Sequence, residues 1–441
     1  MIGGILLVIM FGIFWIYGWG SESTLVTTST APESLGTQTI YGNLFILSAV
    51  FTVIGFGLLF IYFKNSTASA LFTSIFIVSF TILISPIFQK FWFNIFITNF
   101  HGATPNDSNP DRFYIFSLQG LNIPVDLYGL KIALANAIAQ LVMILGLFGR
   151  MTPPQVVISS FLFNFAWNLN HFLCILLQQI NSENRIFDDY QISNVYLFAA
   201  SFGIAVSLLI KKPQNFRIFG HNNFSAILSQ IGTFFLFLSF CTTTTFYSLK
   251  FVNVSGEFSR SYVWQEAFLG TFFALSASVI ATYIFAILLG GGKIGMRESI
   301  LGTIMGAVIY GPVAGTCMNI GAAIATGIAA GFLSALFFHK VYAKINENGI
   351  RDSYGIVLIF VISFLGTFLI SPTVIKTYYN YNVNLTTFET SQSDLTGGAV
   401  NINAARWVLV YVGISIGIGL STGAVVGIIL MIVDKVTGNE Y

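Results

Sequence analysis

Asn194 to Ile210 reads NVYLFAASFGIAVSLLI, 17 residues without a charge. A run this long and this apolar reads as a helix crossing a bilayer. It opens on polar residues and Tyr196. The stretch from Ser353, SYGIVLIFVISFLGT, repeats the arrangement with Tyr354 in the matching place. The two tyrosines are expected to face one central path. The competing reading of each is an aromatic anchor at a membrane interface.

The rest of the chain fits around these two runs. Charged residues are 8% of the 441 and hydrophobic residues 55%. A soluble domain carries roughly a quarter charged residues and could not cover its surface with so few. The chain is therefore an all-α polytopic membrane protein. Twelve spans are expected, at about 2–18, 41–63, 69–95, 127–148, 155–178, 191–211, 224–247, 264–289, 297–313, 316–339, 354–371 and 405–433. The first is read as a retained anchor, because it lacks a basic leader and ends on Trp15, Tyr17 and Trp19. Residues 1–435 form one membrane domain and 436–441 a short polar tail. The loops on one side hold 11 of the 19 Lys and Arg but 5 of the 17 Asp and Glu, which places both termini on the cytoplasmic or matrix-like side. The sequons at Asn106, Asn253 and Asn384 lie on the opposite face.

Most chemistry is excluded by what the chain lacks. No Ser/His/Asp grouping, paired carboxylates or HExxH occurs, so an enzyme is not expected and no cofactor is implied. Gly290-Gly291-Gly292-Lys293 is not a phosphate loop, because Ile287 and Ile294 stand where Gly and Ser or Thr are needed. There is no basic cluster for nucleic acid. Cys174, Cys241 and Cys317 all fall in apolar runs and read as small buried residues. Lys131 and Glu266, near span ends, are expected to snorkel towards the headgroups. Glycines four apart (Gly302/Gly306, Gly311/Gly315, Gly327/Gly331, Gly413/Gly417, Gly419/Gly423/Gly427) predict close helix packing.

The informative polar residues lie inside span five. Asn164, Asn168 and His171 are spaced i, i+4, i+7 and share one helix face. Such a stripe points into the bundle, either to line a permeation path or to bond neighbouring helices.

The chain resembles the ammonium transporter/Rhesus (Rh) glycoprotein family, on its Rh side. Gly149-Arg150-Met151-Thr152-Pro153-Pro154-Gln155 and Trp167-Asn168-Leu169-Asn170-His171-Phe172 look like the family's G-K-x-S-P-x-Q loop and A-V-N-E-F helix. Ala199 to Ile204, Ile231 to Leu236 and Arg297 to Val308 match further segments in order. The resemblance implies two inverted five-helix repeats, an extra N-terminal helix and a long closing helix. It also implies a homotrimer in membrane lipid and a narrow pore for ammonia or ammonium. The family's paired pore histidines map onto Tyr196 and Tyr354, its acid in A-V-N-E-F onto His171, and a gating phenylalanine onto Thr243. Imidazole titrates near pH 6.5 and passes protons between two nitrogens, whereas a phenol titrates near 10 through one oxygen. Three functions are therefore expected: a divergent ammonia-type channel lined by Tyr196, Tyr354, His171, Thr243, Asn168 and Asn164; a non-conducting structural subunit or scaffold; or a pore for another small solute.

Overall fold

The computed structural model describes residues 8–13, 18–19, 33–61, 67–96, 123–124, 127–180, 192–210, 223–248, 263–290, 294–314, 319–347, 352, 354–369 and 400–436. Residues 8–13 are helical. Twelve further helices are α1 (Glu33–Phe60), α2 (Thr67–Phe96), α3 (Leu127–Leu147), α4 (Pro153–Ile180), α5 (Phe198–Leu209), α6 (Asn223–Ser248), α7 (Val263–Leu289), α8 (Met296–Tyr310), α9 (Ile320–Leu336), α10 (Tyr342–Glu347), α11 (Ile356–Phe368) and α12 (Val400–Val436). A π turn, Ser193–Leu197, leads into α5, and another, Phe337–Val341, joins α9 to α10. Two short strands, β1 (Gly18–Trp19) and β2 (Ile123–Pro124), pair in parallel. The sequons, Cys317, Lys293, Gly315 and the tail from 437 lie outside the described residues.

Seven of the described helical segments are long and apolar enough to cross a membrane, and Ser193–Leu209 and Ile356–Phe368 are shorter apolar ones. α4 has the length but carries asparagines and a histidine that lower its hydropathy. Large apolar side chains such as Phe72, Phe224, Phe234, Leu288 and Val425 stand exposed on the outer faces, as contact with hydrocarbon requires. This is an integral, multi-pass membrane protein. The span expected at 316–339 runs on, because the π turn lets the helix continue to Glu347 through residues that read as a basic loop.

The packing divides into two equivalent halves. In the first, α1 touches α2 and α3, α2 touches α3 and α4, and α3 touches α4 and α5. In the second, α6 touches α7 and α8, α7 touches α8 and α9, and α8 touches α9 and α11. The first helices meet each other (α1 on α6), as do the fifth (α5 on α11), while α12 closes the bundle against α4 and α5. Five helices per half is an odd number, so the second half is threaded in the inverted sense. The third helix of each half, α3 and α8, is the one buried almost all round.

Small residues set the closeness of these contacts. On α7, Ala274, Ser278 and Thr282 form one stripe (i, i+4, i+8). A Cβ on Gly306 would reach the Ala274 carbonyl and Ser278, and one on Gly302 would strike Thr282. On α9, Gly327 lies against the same Ala274 carbonyl and Gly331 against Ser278. The helices α7, α8 and α9 thus meet in one close-packed cluster, closed further by the Ser278 hydroxyl donating to the Gly302 carbonyl. Gly327→Ala is expected to cost about 1–3 kcal/mol, seen as a lower unfolding midpoint in detergent. Gly417→Ala is the contrast: nothing lies within 4 Å of that Cβ, so the midpoint should not fall.

Candidate functional site

The asparagine stripe of α4 meets polar residues of α2 and α3. Asn164 is fully buried and accepts from Asn136 Nδ2 at 2.7 Å. Its own Nδ2 donates to Gln140 Oε1 at 3.1 Å and to the Ser160 carbonyl at 2.8 Å. Thr81 of α2 donates to the same Gln140 Oε1 at 2.6 Å. One turn along, Asn168 Oδ1 accepts from Ser85 Oγ at 3.2 Å, and Gln89 Nε2 donates to Ser85 at 3.1 Å. Asn164 and Asn168 therefore bond across the α2–α3–α4 contact, which is one of the two uses the stripe allowed.

His171 continues the same face to the start of α5. Here the chain inserts one extra residue, in the π turn Ser193–Leu197, every residue of which is buried. Such single-turn insertions recur at functional sites, because they re-aim side chains within a continuous helix. The Trp167 indole donates to the Asn194 carbonyl at 2.8 Å, and its ring stacks on His171 at 5.0 Å. Asn170 Nδ2 donates to Asn194 Oδ1 at 2.7 Å, which leaves Asn194 Nδ2 facing His171 Nδ1 at 3.3 Å. Tyr196, in the middle of the π turn, is 2% exposed and its ring lies 5.9 Å from that of Phe240 on α6.

Tyr354 reaches α6 at another level. It is wholly buried; its hydroxyl lies 3.2 Å from Ser229 Oγ and donates towards the Leu59 carbonyl of α1 at 3.5 Å. Ser229 and Phe240 are eleven residues apart on one helix, about 16 Å along its axis. The two tyrosines thus share α6 as a wall but attach at different heights. Thr243, fully buried one turn beyond Phe240, donates back to the Ser239 carbonyl at 2.6 Å.

Two charges fix the helices that carry the tyrosines, and neither role was read from the sequence. Asp352 accepts four backbone N–H groups: those of Tyr354, Gly355 and Ile356 on Oδ1, at 3.1, 2.6 and 2.8 Å, and that of Val357 on Oδ2 at 3.1 Å. The start of a helix leaves such donors unpaired and positive, so a carboxylate there is favourable. Burial holds the Asp352 carboxyl above its usual range, and the four amides oppose that rise without cancelling it. Gly355 sits at φ 96°, a left-handed conformation that favours glycine, and any Cβ there would also meet Leu301. Ile356 then wedges against Gly146 of α3 and Gly203 of α5. At the end of α5, Arg150 donates to Ser207 Oγ at 2.9 Å and to the carbonyls of Ser207 and Ile210, each at 3.0 Å. Gly149, at φ 76°, turns the chain so that Arg150 reaches them. Tyr342 links this region to α8, accepting from Arg297 at 2.6 Å and donating to the Asp352 carbonyl at 2.9 Å.

The charge expected to snorkel at residue 131 does not. Lys131 is 3% exposed, with Nζ 5.1 Å from the Phe246 ring centroid and 3.5 Å from the Phe246 carbonyl near the end of α6. A cation at a helix C-terminus is favourable, which explains its turning inward.

With the fold and these contacts in view, the similarities to known proteins are specific. No protein-family profile matches the chain. It is 26% identical to Rhesus-like glycoprotein A of Dictyostelium discoideum over 301 residues, covering 66% of this chain and 52% of that protein. It is 24% identical to ammonium transporter Rh type B of Bos taurus over 214 residues, 47% of this chain and 43% of the relative. The chain thus spans about half the length of the curated relatives it matches. Among solved structures, Nitrosomonas europaea Rh50 superposes with a TM-score of 0.66 at 18% identity, covering 90% of this chain and 88% of that one. A Candida albicans Mep2 variant gives 0.62 at 15% identity over 94% and 95%. The chain is thus similar in sequence to a Rhesus-like glycoprotein over about two thirds of its length, and it shares the helical fold of solved Rh and Mep proteins.

Proposed function

We propose that this protein is a passive channel of the Rh class for ammonia or a similarly small neutral solute. Its path runs along α6 between the level of Tyr196 and that of Tyr354. The observation that carries this is the placement of the tyrosines: each stands at the start of the fifth helix of its half, and both turn onto α6. In this reading the phenols take the place of the family's paired histidines. They give hydrogen bonds but no proton relay at neutral pH, since a phenol titrates near 10 through one oxygen. His171 stands where the family has an acid, so the anionic attraction for ammonium is gone. Neutral solute is then the species that passes, with Thr243 towards the end of the path nearer Tyr196. Asn164 and Asn168 brace the wall from the α2–α3–α4 side. Both termini face the cytoplasmic or matrix-like side, as the Lys and Arg distribution supports, and the resemblance supports a homotrimer.

A second reading has its own support. Tyr354 is tied to α1 and α6 by its hydroxyl, and both tyrosines are buried. One phenol so tied and a second one buried favour a shut path and a structural subunit of a larger membrane assembly. Ammonia flux into proteoliposomes separates the two, measured beside a Tyr196→His, Tyr354→His double variant. Flux above that of empty vesicles from the unaltered protein is the expected result. Flux from the double variant alone would assign the scaffold role, and flux from neither would remove the transport reading.

A further inference from the structure

Three polar atoms at the α2–α3–α4 contact are unanswered. Asn136 Oδ1, Gln140 Nε2 and Ser160 Oγ are buried and have no hydrogen-bond partner among the described residues. All three residues are fully buried. They surround Asn164: Asn136 bonds one end of its amide, Gln140 the other, and Ser160 lies one turn away on the same helix. Asn136 and Gln140 are four apart on α3 and so share a face.

Turning the amides over does not remove the deficit. Asn136, Asn164 and Gln140 are linked end to end, so reversing one forces the others to reverse. Reversal is in any case excluded, because it would set Asn164 Oδ1 against the Ser160 carbonyl that its Nδ2 now meets at 2.8 Å. The knot therefore presents one amide donor, one amide acceptor and a hydroxyl. A bare cation answers acceptors only, ammonium brings donors only, and an anion answers donors only. Buried polar groups left in this pattern are normally completed by a molecule that does both.

We propose that the Asn136–Gln140–Ser160 knot is a binding site for one small neutral molecule that both donates and accepts hydrogen bonds, water or ammonia. It lies between α2, α3 and α4, and neither α6 nor either tyrosine contributes to it. It stands whether or not the path along α6 conducts.

Ser160→Ala tests the site by the sign of its effect, since it removes a hydroxyl without breaking a bond seen in the fold. If the site is filled, the variant loses a partner of the bound molecule, and the thermal midpoint of the purified full chain falls by on the order of 1–3 °C. If the site is dry, the variant removes a buried unpaired group, and the midpoint stays or rises, which overturns the proposal. Ser159→Ala, whose hydroxyl donates to the Val156 carbonyl at 3.0 Å, is the control for changes on the same turn. Ammonium chloride at alkaline pH, against sodium chloride and against acidic pH, identifies the occupant. A midpoint raised by free ammonia in the unaltered protein but not in Ser160→Ala assigns ammonia. A fall in Ser160→Ala with no ammonia response assigns water. A density map that resolves ordered solvent and is empty among the three atoms also overturns the proposal.

Discussion

Asp352→Ala is expected to cost the folded protein about 3–5 kcal/mol, read as a fall in the unfolding midpoint of purified protein in detergent. The carboxylate is buried and accepts four main-chain N–H groups at the start of α11. Removing it leaves them without an acceptor in a place where water has little access. Asp352→Asn should cost much less, because one amide oxygen in the place of Oδ1 keeps three of the four donors. It gives up the Val357 contact and the charge that complements the helix start. The ordering Ala well below Asn, and Asn below the parent, is the signature. Equal losses for the two would mean that charge rather than acceptor geometry matters here.

Arg150→Leu is the second large effect, about 2–4 kcal/mol by the same measurement. Arg150 is 8% exposed, and its guanidinium spans Ser207 Oγ and two carbonyls at the end of α5. Leucine fills much of the volume but leaves three acceptors unanswered. Arg150→Lys retains the charge near the negative end of the helix and loses the planar fork, so it should recover only part of the loss. A leucine variant as stable as the parent would show that α5 is held by its contacts with α12 and α3 alone.

Much of the bundle was legible in the residues. The spans come from uncharged runs, and the spacing of Asn164, Asn168 and His171 places them on one face. Gly302/Gly306 and Gly327/Gly331 did mark close packing, from α8 and α9 onto α7. The pattern did not say which glycines of α12 are used. Gly413 and Gly417 face open space, while Gly419 and Gly423 meet Ser201 and Phe202 of α5. Six positions turn a helix by about 240°, so the two series lie on different faces, and only the neighbours decide between them. Asp352 was hidden for a related reason. It sits in a charge-rich segment that reads as loop, and its value comes from four amides that converge only once α11 begins. Gln140, Asn136 and Thr81 likewise became partners of Asn164 only through contacts between helices distant in sequence.

The π turn before α5 bears on how this protein can vary. An inserted residue within a continuous helix is a place where the chain can shorten by one without displacing the helix beyond it. Loss of a single residue from Ser193–Leu197 would return the segment to ordinary helical register and keep α5 in its seat against α12, while the residues of the turn itself change their facing. Tyr196 and Asn194 would then face different neighbours although neither had been replaced. At this position chain length, rather than residue identity, is the variable that sets what the bundle presents.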